Sequence, residues 1–171
     1  VQEHMQQLQA AMQHNLNVGD LKTGIAANGE DTATTFDAAS DCLHNNASTS
    51  GNLYYQGLKE ASAYLATDYL ASLLPSQGRL GLTDWQPAAD KIEQSMISAY
   101  KLHGYLPVAD NTAYSNCDGR SIMQGDGLFY LQISGLKELM NSTVLRELAL
   151  QYPADLKAST FQGPSAPLYV V

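Results

Sequence analysis

At 171 residues, 44% hydrophobic and 15% charged, the chain has the size and polarity of one ordinary globular domain able to bury a core, which excludes a disordered polymer. Seventeen Asp and Glu against nine Lys and Arg leave a net charge of −8, and no stretch gathers basic residues into a phosphate-neutralising stripe, so nucleic acid is excluded as a partner. Gln, Asp, Lys and Ser interrupt every apolar run before the roughly 18 residues that a bilayer crossing needs, which excludes membrane insertion.

Residues 1–16 place Met5, Leu8, Met12 and Leu16 at spacings of three or four, the pattern of an amphipathic helix that stops at Asn17-Val18-Gly19. From Gly19 to Ser50 the chain is rich in Gly, Asn, Asp, Thr and Ser without a sustained helical period. A loop of that length inside a compact region is usually functional. Helix resumes near Asn52, where Leu58, Ala61, Leu65, Tyr69 and Leu73 form a stripe ending before Pro75 and Gly78. Thr83 is positioned to cap a further helix with Trp85, Ala89, Ile92, Met96 and Ala99 on its apolar face and Gly104 at its end.

A second polar connection runs from Tyr105 to Gly125 and contains Asn116-Cys117-Asp118-Gly119-Arg120. Between Asp126 and Met140, Leu128, Phe129, Leu131, Ile133, Leu136 and Leu139 fall on nearly every side of a helical wheel, which predicts a helix buried all round. Asn141 or Ser142 then caps a last helix through Val144, Leu145, Leu148 and Tyr152, with Pro153 expected to help terminate it. About five helices, alternating short and long connections and no β-hairpin predict an all-α fold of stacked helix pairs. Four amphipathic companions barely cover a helix that is apolar on every side. Residues 1–171 are therefore expected to be a single segment forming an incomplete part of a larger helical domain, and a start at Val1 without a leader agrees with an excised or processed piece.

Cys42 and Cys117 both lie in polar connections, as a disulfide clamping two loops or as two unrelated thiols. Two thiols are too few for a metal centre, and His4, His14 and His103 show no ligand spacing, so no metal and no cofactor are expected. Asn46-Ala47-Ser48 and Asn141-Ser142-Thr143 match the glycosylation acceptor pattern, which with the cysteines points to a secreted or extracellular protein.

The densest polar signal is Thr34-Thr35-Phe36-Asp37-Ala38-Ala39-Ser40-Asp41, followed by Cys42-Leu43-His44-Asn45-Asn46 and the helix opening Asn52-Leu53-Tyr54-Tyr55. A carboxylate on a loop before a helix can be held beside a cleft and still meet substrate, and an aromatic neighbour such as Phe36 raises a carboxyl pKa towards that of a general acid. Equally, Asp37 and Asp41 can be turn residues that bond to nearby backbone. The stretch TTFDAASDCLHNNASTSGNLYYQGLKEASAYLA resembles the acid/base region of glycoside hydrolase families 52 and 116, the β-xylosidases and β-glucosidases built on an (α/α)6 barrel. DGRSIMQGDGLFYLQISGL is similar, more loosely, to a barrel helix entered from a substrate-facing loop.

The resemblance implies that the chain is part of an (α/α)6 barrel and of a retaining β-glycosidase for xylosyl or glucosyl linkages. Asp37, or else Asp41, would supply the general acid that later acts as base. It implies a carbohydrate substrate and, as a further partner, the rest of the catalytic domain, which would hold the nucleophile, since no nucleophilic carboxylate is evident here. It also sets Cys42 and Cys117 on one substrate-facing rim. His44, Tyr54 and Tyr55, with Asp118, Arg120 and Gln124 from the second loop, are the candidate substrate-binding residues, because planar polar groups and aromatic faces bind sugars. The alternatives are an Asp-Gly turn with a surface Arg at 118–120, a locally packed His44, and tyrosines buried in the core. At the level of function they are another (α/α)6-barrel hydrolase, glutaminase-like or an inverting glycosidase, and a non-catalytic helical binding module.

Overall fold

The computed structural model describes residues 2–25, 53–79, 81–107, 109–110, 125, 127–158, 160–162 and 167–169. Among them the protein is mainly helical: α1 (Gln2–Val18), α2 (Tyr54–Ser72), α3 (Gln86–His103), the short α4 (Phe129–Ile133) and α5 (Ser142–Ala158), with 3-10 turns at Ser76–Arg79 and Lys137–Leu139. The pair α2 and α3 is the centre of the packing, with α1 and α4 laid against α2 and α5 against α3. The interface is apolar because the 3.6-residue period puts Leu58, Ala61 and Leu65 on one face of α2 and Ala89, Ile92, Met96 and Ala99 on one face of α3. Tyr64 and Trp85 stack within that core, ring centroids 5.6 Å apart.

The helix ends follow from local chemistry. Gly104 takes φ 75°, and its N–H closes α3 on the Tyr100 carbonyl at 2.8 Å, a conformation open to glycine without strain. The start of α3 differs from expectation. Thr83 does not cap it: its N–H goes to Gln9 Oε1, while Asp68 accepts the Trp85 N–H at 2.8 Å and Asp84 that of Gln86 at 3.1 Å. Arg79 folds back to donate to the carbonyls of Leu74 and Ser72, satisfying acceptors left over at the end of α2. Asn141 caps α5, its Oδ1 accepting from the Thr143 N–H at 2.9 Å, and this gives its Asn-Ser-Thr triplet a structural role.

Four further expectations are corrected. No long helix buried all round spans 126–140. The chain forms the single-turn α4 and then breaks at Gly135, φ 72°, where Leu136 N–H reaches the Leu131 carbonyl and Gly135 N–H that of Gln132. This is a Schellman closure, and it turns Leu131 inward while leaving Phe129, Tyr130 and Ile133 half or more exposed. Pro153 lies inside α5 instead of ending it, on an exposed face where water can take up the Ala149 carbonyl that the imide cannot serve. A two-stranded antiparallel hairpin, β1 (Thr160–Gln162) paired with β2 (Pro167–Tyr169), follows α5 where none was expected. The far half of the α2 stripe also emerges from the core, with Leu73 63% exposed, because the packing partners end before it.

Buried polar groups tie the helices together. Glu93, 2% exposed, accepts the Asn141 N–H at 2.7 Å and so links α3 to the start of α5. Gln151 accepts the Leu106 N–H at 2.7 Å and donates to Asp155 at 2.5 Å, fastening the exit of α3 to α5. Among the described residues no helix is long and apolar enough to cross a membrane.

Candidate functional site

Asp37, Asp41, His44, Asp118, Arg120 and Gln124, with Cys42 and Cys117, lie outside the described residues; Tyr54 and Tyr55 lie within them. What the structure does place are the residues flanking the two polar stretches. All of them meet on the first turns of α2.

Ahead of the first stretch, Asp20 Oδ1 accepts the N–H groups of Lys22 and Thr23, both at 2.8 Å, and the Thr23 hydroxyl, while Gly24 turns at φ 78°. The Thr23 N–H bond is the main cause that holds the Asp20 carboxyl below its usual pKa. This compact turn delivers Ile25, fully buried, over Gly57 of α2; a Cβ at Gly57 would lie 2.7 Å from Ile25 Cδ1. After the first connection, Leu53 forms an isolated antiparallel bridge with Ala109, near the start of the second. Beyond the second, Gly127 lies flat against α2. A Cβ there would meet Leu58 Cβ at 2.3 Å and the Tyr55 carbonyl at 3.0 Å, and Ser62 Oγ donates to the Gly127 carbonyl at 3.1 Å. Positions 25, 53, 109 and 127 are thus gathered at one end of the bundle although 102 residues separate the first from the last (127 − 25).

Beside them lies a cavity of about 560 Å³ whose lining includes Lys22, Tyr54, Lys91, Gln94, Ser98 and His103, with Asp110 at its edge. Tyr54 is 4% exposed, and burial, reinforced by the negative charge of Asp110, pushes its hydroxyl well above the usual phenol range. It therefore stays protonated at any physiological pH and can donate a hydrogen bond. The Ser98 hydroxyl donates to the Gln94 carbonyl at 2.8 Å, so towards a ligand it acts through its lone pairs. Such a lining offers donors from both lysines and Tyr54 and acceptors from Ser98, Gln94 and Asp110.

Tyr55, the next residue, faces a smaller hollow of about 320 Å³ formed with Lys59, Phe129 and Tyr130. Lys59 Nζ stands 4.2 Å from the centre of the Tyr55 ring, a cation–π contact. A third hollow, about 750 Å³, lies between residues 125–138 and α5; Lys137 and Arg146 on its wall are paired with Glu138 and Glu147. Among the described residues no cluster of three or more His, Cys, Asp or Glu is placed to hold a metal ion.

Sequence reasoning missed Lys91, Gln94, Ser98, His103 and Asp110. One signal was legible: Lys91, Gln94 and Ser98 recur at spacings of three and four opposite the apolar stripe of α3, a polar face that lines the cavity instead of only meeting solvent. Lys59, Phe129 and Tyr130 carried no such signal, because the last two read as core. No protein-family model, no curated protein and no solved structure matches this chain.

Proposed function

We propose that the chain carries the acid/base part of a retaining β-glycosidase that acts on xylosyl or glucosyl linkages, within an (α/α)6 barrel completed by further chain. Asp37, or Asp41 beside it, protonates the glycosidic oxygen and later activates water as base. The observation that carries this reading is the convergence of residues near the ends of both polar connections, at 25, 53, 109 and 127, on one end of the helix bundle beside a cavity. Catalytic loops held by a rigid scaffold at one rim are the usual arrangement for such chemistry. Tyr54, kept neutral by burial, would donate to a sugar hydroxyl, and Asp110 would accept from one.

The test is leaving-group dependence. Asp37→Asn should fold as the unsubstituted protein does, by circular dichroism. It should greatly slow hydrolysis of alkyl β-xylosides and β-glucosides, whose leaving groups need a proton, and slow the first chemical step of dinitrophenyl glycosides much less. Equal losses on both substrate types would refute an acid role, and full activity would move the role to Asp41. These assays use the chain together with the part of the barrel that supplies the nucleophile; if that complete protein turns over no glycoside of either class, the proposal is wrong.

A further inference from the structure

We infer that the hollow of Tyr55, Lys59, Phe129 and Tyr130 is a subsite for a second pyranose ring of an oligosaccharide, separate from the cavity beside Tyr54; the choice of a sugar rests on the carbohydrate reading above. At about 320 Å³ the hollow is at the small end of ligand sites and has room for one ring. Phe129 and Tyr130 are 52% and 67% exposed, and their rings meet edge to face, centroids 5.6 Å apart and planes at 76°. They form an aromatic corner open to solvent. Its third ring, Tyr55, is 8% exposed and is overlain by the Lys59 ammonium.

These groups select a ligand chemistry. Open aromatic faces favour an apolar C–H face, while the ammonium donates hydrogen bonds and repels cations. A quaternary ammonium, the usual guest of aromatic cages, is thereby disfavoured. A pyranose meets both demands, with C–H groups on one face and hydroxyl oxygens around its rim. The hollow is also in the right place. Tyr54 and Tyr55 are consecutive on α2 and so point about 100° apart, which places the two recesses on different faces of the same helical turn, and Gly127 abuts the Tyr55 carbonyl.

The experiment is a calorimetric titration of the protein with xylotriose and cellotriose and with xylose and glucose, repeated on Phe129→Ala and Tyr130→Ala. Both side chains are exposed, and unchanged thermal unfolding will confirm that the variants are intact. Each truncation should weaken trisaccharide binding roughly threefold to tenfold and move monosaccharide binding less than twofold. Unchanged trisaccharide affinity, equal weakening for both ligand sizes, or no trisaccharide binding by the unsubstituted protein would each overturn the subsite. Aromatic-dependent binding without any hydrolysis would keep the subsite and remove the glycosidase reading. Hydrolysis with binding indifferent to both variants would do the reverse.

Discussion

Gly127→Ala isolates the contact on which the geometry of the candidate site depends. The added methyl would sit 2.3 Å from Leu58 Cβ and 3.0 Å from the Tyr55 carbonyl, against a comfortable carbon separation of roughly 3.5–4.0 Å. Neither atom can swing aside, since one is fixed to the α2 backbone and the other belongs to it. Residue 127 must therefore back away by about 1 Å or more, an overpacking strain of about 1–3 kcal/mol. Withdrawal also stretches the buried bond from Ser62 Oγ to the Gly127 carbonyl, worth about 1 kcal/mol more. The expected loss is about 2–4 kcal/mol, which lowers Tm by roughly 5–15 °C for a chain of this length.

Gly57→Ala is the matched control. Its methyl would press on Ile25 Cδ1 at 2.7 Å, Ile25 Cγ1 at 2.8 Å and Met96 Cε at 3.2 Å, side-chain atoms and not backbone, and helix propensity returns about 1 kcal/mol. It should lose clearly less stability than Gly127→Ala, whose contacts are with backbone-fixed atoms. Urea unfolding of both variants checks the difference. Gly127→Ala as stable as the parent, or Gly57→Ala equally damaged, would refute the account of how the chain beyond the second polar stretch is seated.

Three further outcomes are expected. Burial raises the pKa of Glu93, so the native state holds that proton more tightly than the unfolded chain, and stability should fall as pH rises from the ordinary carboxylate value through the raised one; Glu93→Gln should flatten this dependence in urea unfolding between pH 4 and pH 8, whereas Glu93→Ala, which strands the Asn141 N–H, should cost about 1–3 kcal/mol. Asp20 titrates in the opposite sense: its lowered pKa contributes stability above the usual carboxylate value that is lost as pH falls below it, and Asp20→Ala should remove that acid-side slope in thermal unfolding. Cys42 and Cys117 should form one bridge that contributes about 4 kcal/mol by closing a long loop, and two titratable thiols in unreduced, denatured protein would exclude it.

Helices α1, α2, α3 and α5 were legible in the sequence because a 3.6-residue period acts within a few positions, as Ala89, Ile92 and Met96 show on α3, where Gly104 also marks the end. Periodicity is blind, however, to which of several apolar faces meets a neighbour. Residues 126–140 therefore looked buried throughout, and the turn at Gly135 was passed over. For the same reason Glu93, Gln151 and Asp155 could not be recognised as buried: each is an ordinary helix-surface residue until α3 and α5 pack and bring the partners of Glu93 and Gln151, Asn141 and Leu106, within reach. Of the candidate site, the sequence supplied Tyr54 and Tyr55 through their place at a helix start after a polar loop. Their separation into two recesses, and the union of positions 25, 53, 109 and 127 around them, were decided only by tertiary structure, because contacts across 56 residues, as between Leu53 and Ala109 (109 − 53), leave no trace in local spacing.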